Sequence, residues 1–154
     1  MTNKIIGIQG DKLDKINISS DTSIFLAHEA QKLGYKIFYY TPSNLSIIKN
    51  KTYANGVFVK LNYERKKFYK IYKKQKIDVE NLKFILIRQD PPFNSEYLIT
   101  TLILDDLKKT RVINNPVAIR NVSEKLYSKK FIKYMPDTIS VSYTHLTLPT
   151  KRIV

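Results

Sequence analysis

The sequence predicts an α/β protein, built as an open, mostly parallel sheet with helices on its faces and a β-hairpin inserted near the middle. Three observations carry this reading. Short apolar runs of strand length open the chain at residues 4–8 (KIIGI) and recur at 35–40 (YKIFYY) and 84–87 (FILI). A stretch of helical period separates the first two, and another follows the third. The first forty residues therefore read strand–helix–strand, the repeating unit of a parallel sheet. With 43% hydrophobic and 26% charged residues over 154 positions, the chain has a globular balance and the size of one domain.

The elements follow in order. Residues 4–8 predict a buried strand, and 9–20 a polar loop around Gly10. Asp21, Thr22 and Ser23 carry side-chain oxygens that accept first-turn amides, so a helix starts there. Ile24, Phe25, Leu26, Ala27, Ala30 and Leu33 supply its apolar positions, and Gly34 its stop. Residues 35–40 are aromatic and β-branched, which predicts the second strand. The apolar runs 45–48 and 57–59 flank polar turn residues, Asn50 and Asn55-Gly56, and predict a hairpin. Phe68, Ile71 and Tyr72 fall at helical spacing inside the basic stretch 65–76, which predicts an amphipathic helix with a solvated lysine face. A strand at 84–87 ends in Arg88-Gln89-Asp90-Pro91-Pro92-Phe93, where the double proline forces a fixed loop. Asn94 or Ser95 caps the next helix, Val112-Ile113 is a short strand, and 117–130 is helical in two pieces restarting at Ser123-Glu124. Ligands of such sheets gather beyond the carboxyl ends of the strands, where loops 9–23 and 88–94 lie.

Composition removes several chemistries. There is no cysteine, so disulfides, thiolate metal sites and thiol nucleophiles are excluded. Only His28 and His145 offer imidazole. No apolar run approaches the length of a membrane helix, and the first residues lack a leader's long apolar stretch; the expectation is a cytoplasmic protein with no membrane partner. The net charge of +14 invites a nucleic-acid reading, that of a basic α/β binding module. The composition argues against it. Lys numbers 22 and Arg 5, while Ile numbers 20 and Ala 4, a skew that follows A/T-rich codons. Phosphate and guanine recognition favours the arginine fork.

Candidate chemistry is sparse. Gly7-x-x-Gly10 lacks both the dinucleotide and the P-loop spacing. His28 lies within a helix, and Asp105-Asp106 are expected to be solvated on another. The Arg88–Asp90 loop is the most informative feature. Its guanidinium suits a ligand carboxylate and its carboxylate an ammonium, so together they suit a zwitterion; alternatively the two pair with each other or cap the next helix.

The run Leu86-Ile87-Arg88-Gln89-Asp90-Pro91-Pro92-Phe93-Asn94-Ser95-Glu96-Tyr97, then Val112-Ile113-Asn114-Asn115-Pro116, Arg120-Asn121 and Glu124-Lys125-Leu126-Tyr127, resembles the prokaryotic glutathione synthetases. Ile16-Asn17-Ile18, Asp21-Thr22-Ser23, the segment 29–35 and Asn62-Tyr63-Glu64 match the same family, so the likeness runs from residue 4 to about 140. It implies a Rossmann-like domain preceding an ATP-grasp unit. The full enzyme of that family joins γ-glutamylcysteine to glycine using ATP and Mg²⁺, through an acyl phosphate that the glycine amine attacks, and forms homo-oligomers. By this resemblance Arg88, Asp90, Asn17, Asp21 and Ser23 are substrate-binding residues, and Lys125 approaches ATP phosphates. Ser19 and Ser20 depart from lysines common in the family, Asn94 from an acid and His28 from an apolar residue. The glycine-rich ATP-covering loop and the Mg²⁺ ligands have no counterpart, so this chain alone is expected to lack ligase activity. A different ATP-grasp carboxylate–amine ligase, such as a ribosomal-protein glutamate ligase, is the competing member of the class.

The expected organisation is a substrate-side domain at 1–122, the start of an ATP-grasp region at 123–140, and a non-native tail at 141–154. Residues 141–150 (VSYTHLTLPT) match a one-frame translation of a transposon adapter used in sequencing libraries, whereas a natural strand is the alternative for Val141, Tyr143 and Leu146.

Overall fold

The computed structural model describes residues 4–62 and 67–139. Tyr63, Glu64 and the tail from 140 onward, with His145, lie outside the described residues. The chain divides into two compact units, Met1–Arg120 and Asn121–Val154.

The first unit holds a seven-stranded sheet. β1 (Ile5–Gln9) leads through α1 (Thr22–Lys32) into β2 (Lys36–Tyr40), which pairs parallel beside it. β6 (Phe84–Ile87) joins the other side of β1, and β7 (Arg111–Ile113) joins β6 after α2 (Ser95–Asp105), both parallel. These four strands form the parallel block. Asp21 caps α1, its Oδ1 accepting the Ile24 N–H at 2.9 Å, and Gly34 takes the left-handed φ of 83° that ends it. Asn94 caps α2 through the Tyr97 N–H at 3.0 Å. Both caps are those the sequence predicts. Asparagine serves here as well as an acid would, since either offers an oxygen to the open amide.

The insert is larger than a hairpin. β3 (Leu45–Ile48) and β4 (Lys51–Leu61) are joined by Lys49 and Asn50, both at positive φ (49° and 58°), the geometry of a two-residue hairpin turn. Asn55-Gly56 is therefore no turn but the middle of β4. Gly56 is required there because a Cβ would lie 2.6 Å from the Tyr39 carbonyl oxygen.

The basic stretch is corrected from helix to strand. β5 (Tyr69–Asp78) runs antiparallel to β4, in register from Tyr53↔Asp78 to Leu61↔Tyr69. The long neighbouring strand satisfies one side of its backbone, and a register shift opposite Phe58/Val59 leaves Tyr72 as the extra residue of a bulge. Phe68, Ile71 and Tyr72 therefore carry helical spacing in the sequence although Ile71 and Tyr72 belong to a bulged strand and Phe68 precedes it. The lysines are exposed along a sheet edge, where charge discourages pairing with another chain.

Two apolar clusters fill the two faces of the sheet. Ile6, Ile8, Ile37 and Tyr39 pack with Ile24 and Ala27 of α1. Phe38, Tyr40, Ile85 and Ile87 pack with Leu104 of α2. The alternation of β2 across the two faces is the period-2 signature of a strand covered on both sides.

Two polar details complete the frame. Glu80 accepts the backbone N–H groups of Lys108 (2.7 Å), Lys109 (2.8 Å) and Thr110 (2.9 Å), fastening the α2–β7 loop. Burial raises its affinity for a proton, but the three N–H bonds and the Lys109 charge together win, and its carboxyl titrates below the ordinary value. Asp105 is not simply solvated, because it accepts from Arg120 at 2.7 Å. After α3 (Pro116–Asn121), α4 (Glu124–Tyr127) lies in the second unit and is followed by a 3-10 stretch, Ser128–Tyr134. Among the described residues no helix is long and apolar enough to cross a membrane.

Candidate functional site

The chain leaves β1 toward β2 on one side and leaves β6 toward β7 on the other. The loops after β1 and β6 thus part from each other, and a crevice opens between them at the carboxyl ends of the strands. A cleft of about 640 Å³ occupies that place. Asn17, Asp21, Arg88 and Asp90 all line it.

Arg88 follows directly on β6, its backbone N–H continuing the ladder to the Gln9 carbonyl at 2.7 Å. Its guanidinium reaches the first turn of α1. Nε donates to Ser23 Oγ at 3.0 Å and Nη2 to Thr22 Oγ1 at 2.7 Å. Ser23 is buried and does not itself line the cleft. Its part is to hold Arg88, which leaves the remaining face of the guanidinium for a ligand. Arg88 and Asp90 form no ion pair with each other among the described residues, and Asn94, not Asp90, caps α2.

Asp21 spends one carboxylate oxygen on its cap. Asn17 builds the loop: its side-chain oxygen accepts from the Ser19 backbone N–H (3.1 Å) and hydroxyl (2.7 Å), and its carbonyl accepts the Asp21 N–H (3.0 Å). Ser20 also reaches the Asn17 carbonyl, with its N–H (3.2 Å) and hydroxyl (3.4 Å), so both serines are used in turn formation at Asn17.

The sequence reading missed Asp11 and Tyr39. Asp11 lines the cleft, and its Oδ2 accepts the Asp90 backbone N–H at 2.9 Å. The Tyr39 hydroxyl donates to the Asp11 carbonyl at 2.7 Å. Burial, then the carboxylates of Asp21, Asp11 and Asp90, push the Tyr39 hydroxyl far above its usual range, so it stays a donor. Gly10 has no Cβ because the Tyr39 hydroxyl fills that space. A glycine beside an aspartate is an ordinary turn signal in sequence. Only the return of β2 alongside β1 gives it meaning.

The lining is mixed in charge, with Asp11, Asp21, Asp90 and Glu96 against Arg88, Lys12 and Lys15. Such a set suits a ligand bearing both a carboxylate and an ammonium. Among the described residues no group of three or more His, Cys, Asp or Glu could hold a metal ion. Lys125 belongs to α4 in the second unit, and its side chain lies outside the described residues.

Comparison with known proteins bears on the same residues. The family model "Prokaryotic glutathione synthetase, N-terminal domain" matches residues 5–120. The glutathione synthetase of Mesorhizobium japonicum is 37% identical over 135 residues, covering 87% of this chain and 43% of that protein. Those of Buchnera aphidicola from Acyrthosiphon pisum and of Agrobacterium fabrum are 36% and 34% identical, over 87% and 88% of this chain and 42% and 43% of theirs. The chain therefore spans under half the length of the relatives it matches. With the R-x-D-P-P-F loop seated at the sheet's switch point and the match covering the whole first unit, this chain belongs to the prokaryotic glutathione synthetase family and carries its N-terminal domain.

Proposed function

We propose that this chain is the substrate-side part of an ATP-dependent ligase that joins γ-glutamylcysteine to glycine, and that its cleft holds the zwitterionic glutamyl end of the dipeptide. One observation carries the reading. Arg88, clamped by Thr22 and Ser23, stands at the rim of a cleft lined also by the carboxylates of Asp11, Asp21, Asp90 and Glu96 and by Lys12 and Lys15. A guanidinium already held by two hydroxyls loses little freedom on meeting a carboxylate, so more of the contact appears as affinity. Arg88 takes the α-carboxylate and Asp90 the ammonium. Asn17 and Asp21 shape the wall beside them, and Ser23 acts through Arg88.

ATP and Mg²⁺ enter this reading through the family alone. The described residues offer no metal-holding group, so no step of the ligation is assigned to them. Lys125 is assigned to the ATP phosphates by the resemblance, at the start of the ATP-grasp region, and the tail after 140 is read as foreign to the protein. The complete protein is taken to be a cytoplasmic homo-oligomer without nucleic-acid or membrane partners.

The test is kinetic. In the complete protein, Arg88→Ala is expected to raise the KM for γ-glutamylcysteine at least about tenfold, the loss of one charged hydrogen-bonded contact. An unchanged KM would make the loop purely structural. The 154-residue chain, given γ-glutamylcysteine, glycine, ATP and Mg²⁺, is expected to form no glutathione. A measurable yield would place the whole machinery within these residues.

A further inference from the structure

We propose that Asp11 is a positioning residue, whose carboxylate sets where the Arg88–Asp90 loop stands over the cleft. The inference rests on the reading of that cleft as the seat of the dipeptide. It starts from a shortage of donors. Pro91 and Pro92 have no N–H, so the Asp90 amide is the last backbone donor before Phe93. It is spent on Asp11 Oδ2, at 2.9 Å, across 79 positions of sequence. Asp11 is in turn held from behind by the Tyr39 hydroxyl, which donates to its carbonyl at 2.7 Å. Tyr39 is 4% exposed and rooted in β2. A chain of two hydrogen bonds thus runs from the interior of the sheet to the residue that carries the ammonium-binding carboxylate. Both Asp11 and Asp90 are themselves exposed, so this bond adds a restraint at Asp90 to those that the Arg88 clamp and the Gln9–Gln89 side-chain hydrogen bond place on the two residues before it.

Charge and hydrogen bonding separate cleanly here. Asp11→Asn keeps a carbonyl oxygen for the Asp90 N–H and removes the charge, whereas Asp11→Ala removes both. The experiment uses the complete protein, with KM and kcat for γ-glutamylcysteine and hydrogen exchange of the Asp90 amide as readouts. Asp11→Ala is expected to raise KM about tenfold with kcat within about twofold, and to speed Asp90 exchange about tenfold, the size of one lost hydrogen bond. Asp11→Asn is expected to return both to within about threefold of the parent.

Two results would overturn the proposal. Asn as damaging to KM as Ala, with Asp90 still protected, would mean that the carboxylate meets the ligand itself. Ala without effect on exchange would mean that the bond positions nothing. Should Asp11→Ala fail to fold, Asp11→Ser, too short to reach the Asp90 N–H, gives the same readouts. Failure of the cleft reading shows separately, as an Arg88→Ala protein with unchanged KM; the exchange result then decides the positioning role by itself.

Discussion

Glu80 offers a stability test that is independent of the cleft. Its carboxylate holds three consecutive backbone amides, those of Lys108, Lys109 and Thr110, at 2.7–2.9 Å. Thr110 is buried, and its hydroxyl is already committed to the Val79 and Leu82 carbonyls at 2.8 and 2.9 Å. Glu80→Ala therefore strands the Thr110 N–H away from water, while Lys108 and Lys109 can turn theirs to solvent. At about 1 kcal/mol for each exposed bond and somewhat more for the stranded one, the loss is about 3–4 kcal/mol. Glu80→Gln keeps one accepting oxygen and is expected to cost about half as much. The sign of the pH dependence follows from the lowered carboxyl. The folded state holds the proton less tightly than the unfolded chain, whose carboxyl titrates near 4.5. The charged form thus contributes stability above that value, and the contribution is lost as pH falls through the lower folded value. Hydrogen exchange at the Thr110 amide near neutral pH, with thermal midpoints at pH 7 and pH 3, measures both effects. Exchange should quicken about thirtyfold or more in Glu80→Ala, and the midpoint gap from the parent should narrow at pH 3. A gap of equal size at both pH values would refute the role of the charge. Unaltered exchange would refute the clasp itself.

Three further outcomes are expected. Among the described residues the buried Tyr40 hydroxyl has no partner, so Tyr40→Phe should raise the thermal midpoint, by about 1 kcal/mol of stability; a fall would reveal a hidden hydrogen bond. Gly56→Ala should cost about 1–3 kcal/mol, because its Cβ would press on the Phe38 ring and on the Tyr39 carbonyl, and backbone cannot move aside as a side chain does; an unchanged midpoint would show that β4 is free to shift. The lysines of β5 are spread along an exposed sheet edge, so the protein should elute from immobilised DNA below physiological salt, and retention above it would reinstate the nucleic-acid reading.

The parallel core was legible because each of its elements is locally self-consistent. The runs of β1, β2 and β6 are largely buried and read as short apolar stretches, and α1 and α2 announce themselves with Asp21 and Asn94. β5 was not legible. Its ladder partner is β4, nothing in its own residues names that partner, and the bulge at Tyr72 breaks the alternation that would have marked a strand. Asn55-Gly56 misled for a related reason. The pair is a turn signal in sequence, but here the glycine answers a tertiary demand, the passage of Phe38 and the Tyr39 carbonyl against β4. At the cleft, Arg88 and Asp90 stood out through the double proline. Asp11, Thr22 and Tyr39 act on them across 28 to 79 positions and carry no local signature.

That division has a physical origin in the topology. Parallel strands send every crossover back to the same edge, so loops that are distant in sequence meet at the carboxyl ends of neighbouring strands. β1 and β6 are neighbours although most of the unit separates them, and the insert β3–β5 is accommodated between them without disturbing their register. Arg88 can therefore draw its two clamps from α1 and its loop's tether from the turn after β1. Each of these partners is short and polar, and each does a second job, Ser23 within the first turn of α1 and Asp11 as the acceptor for Tyr39. Changing any one of them is expected to shift the guanidinium or the Asp90 backbone before it alters the fold. The cleft's chemistry is for that reason more sensitive to these small residues than the apolar core on either face of the sheet, where the neighbouring side chains share the load.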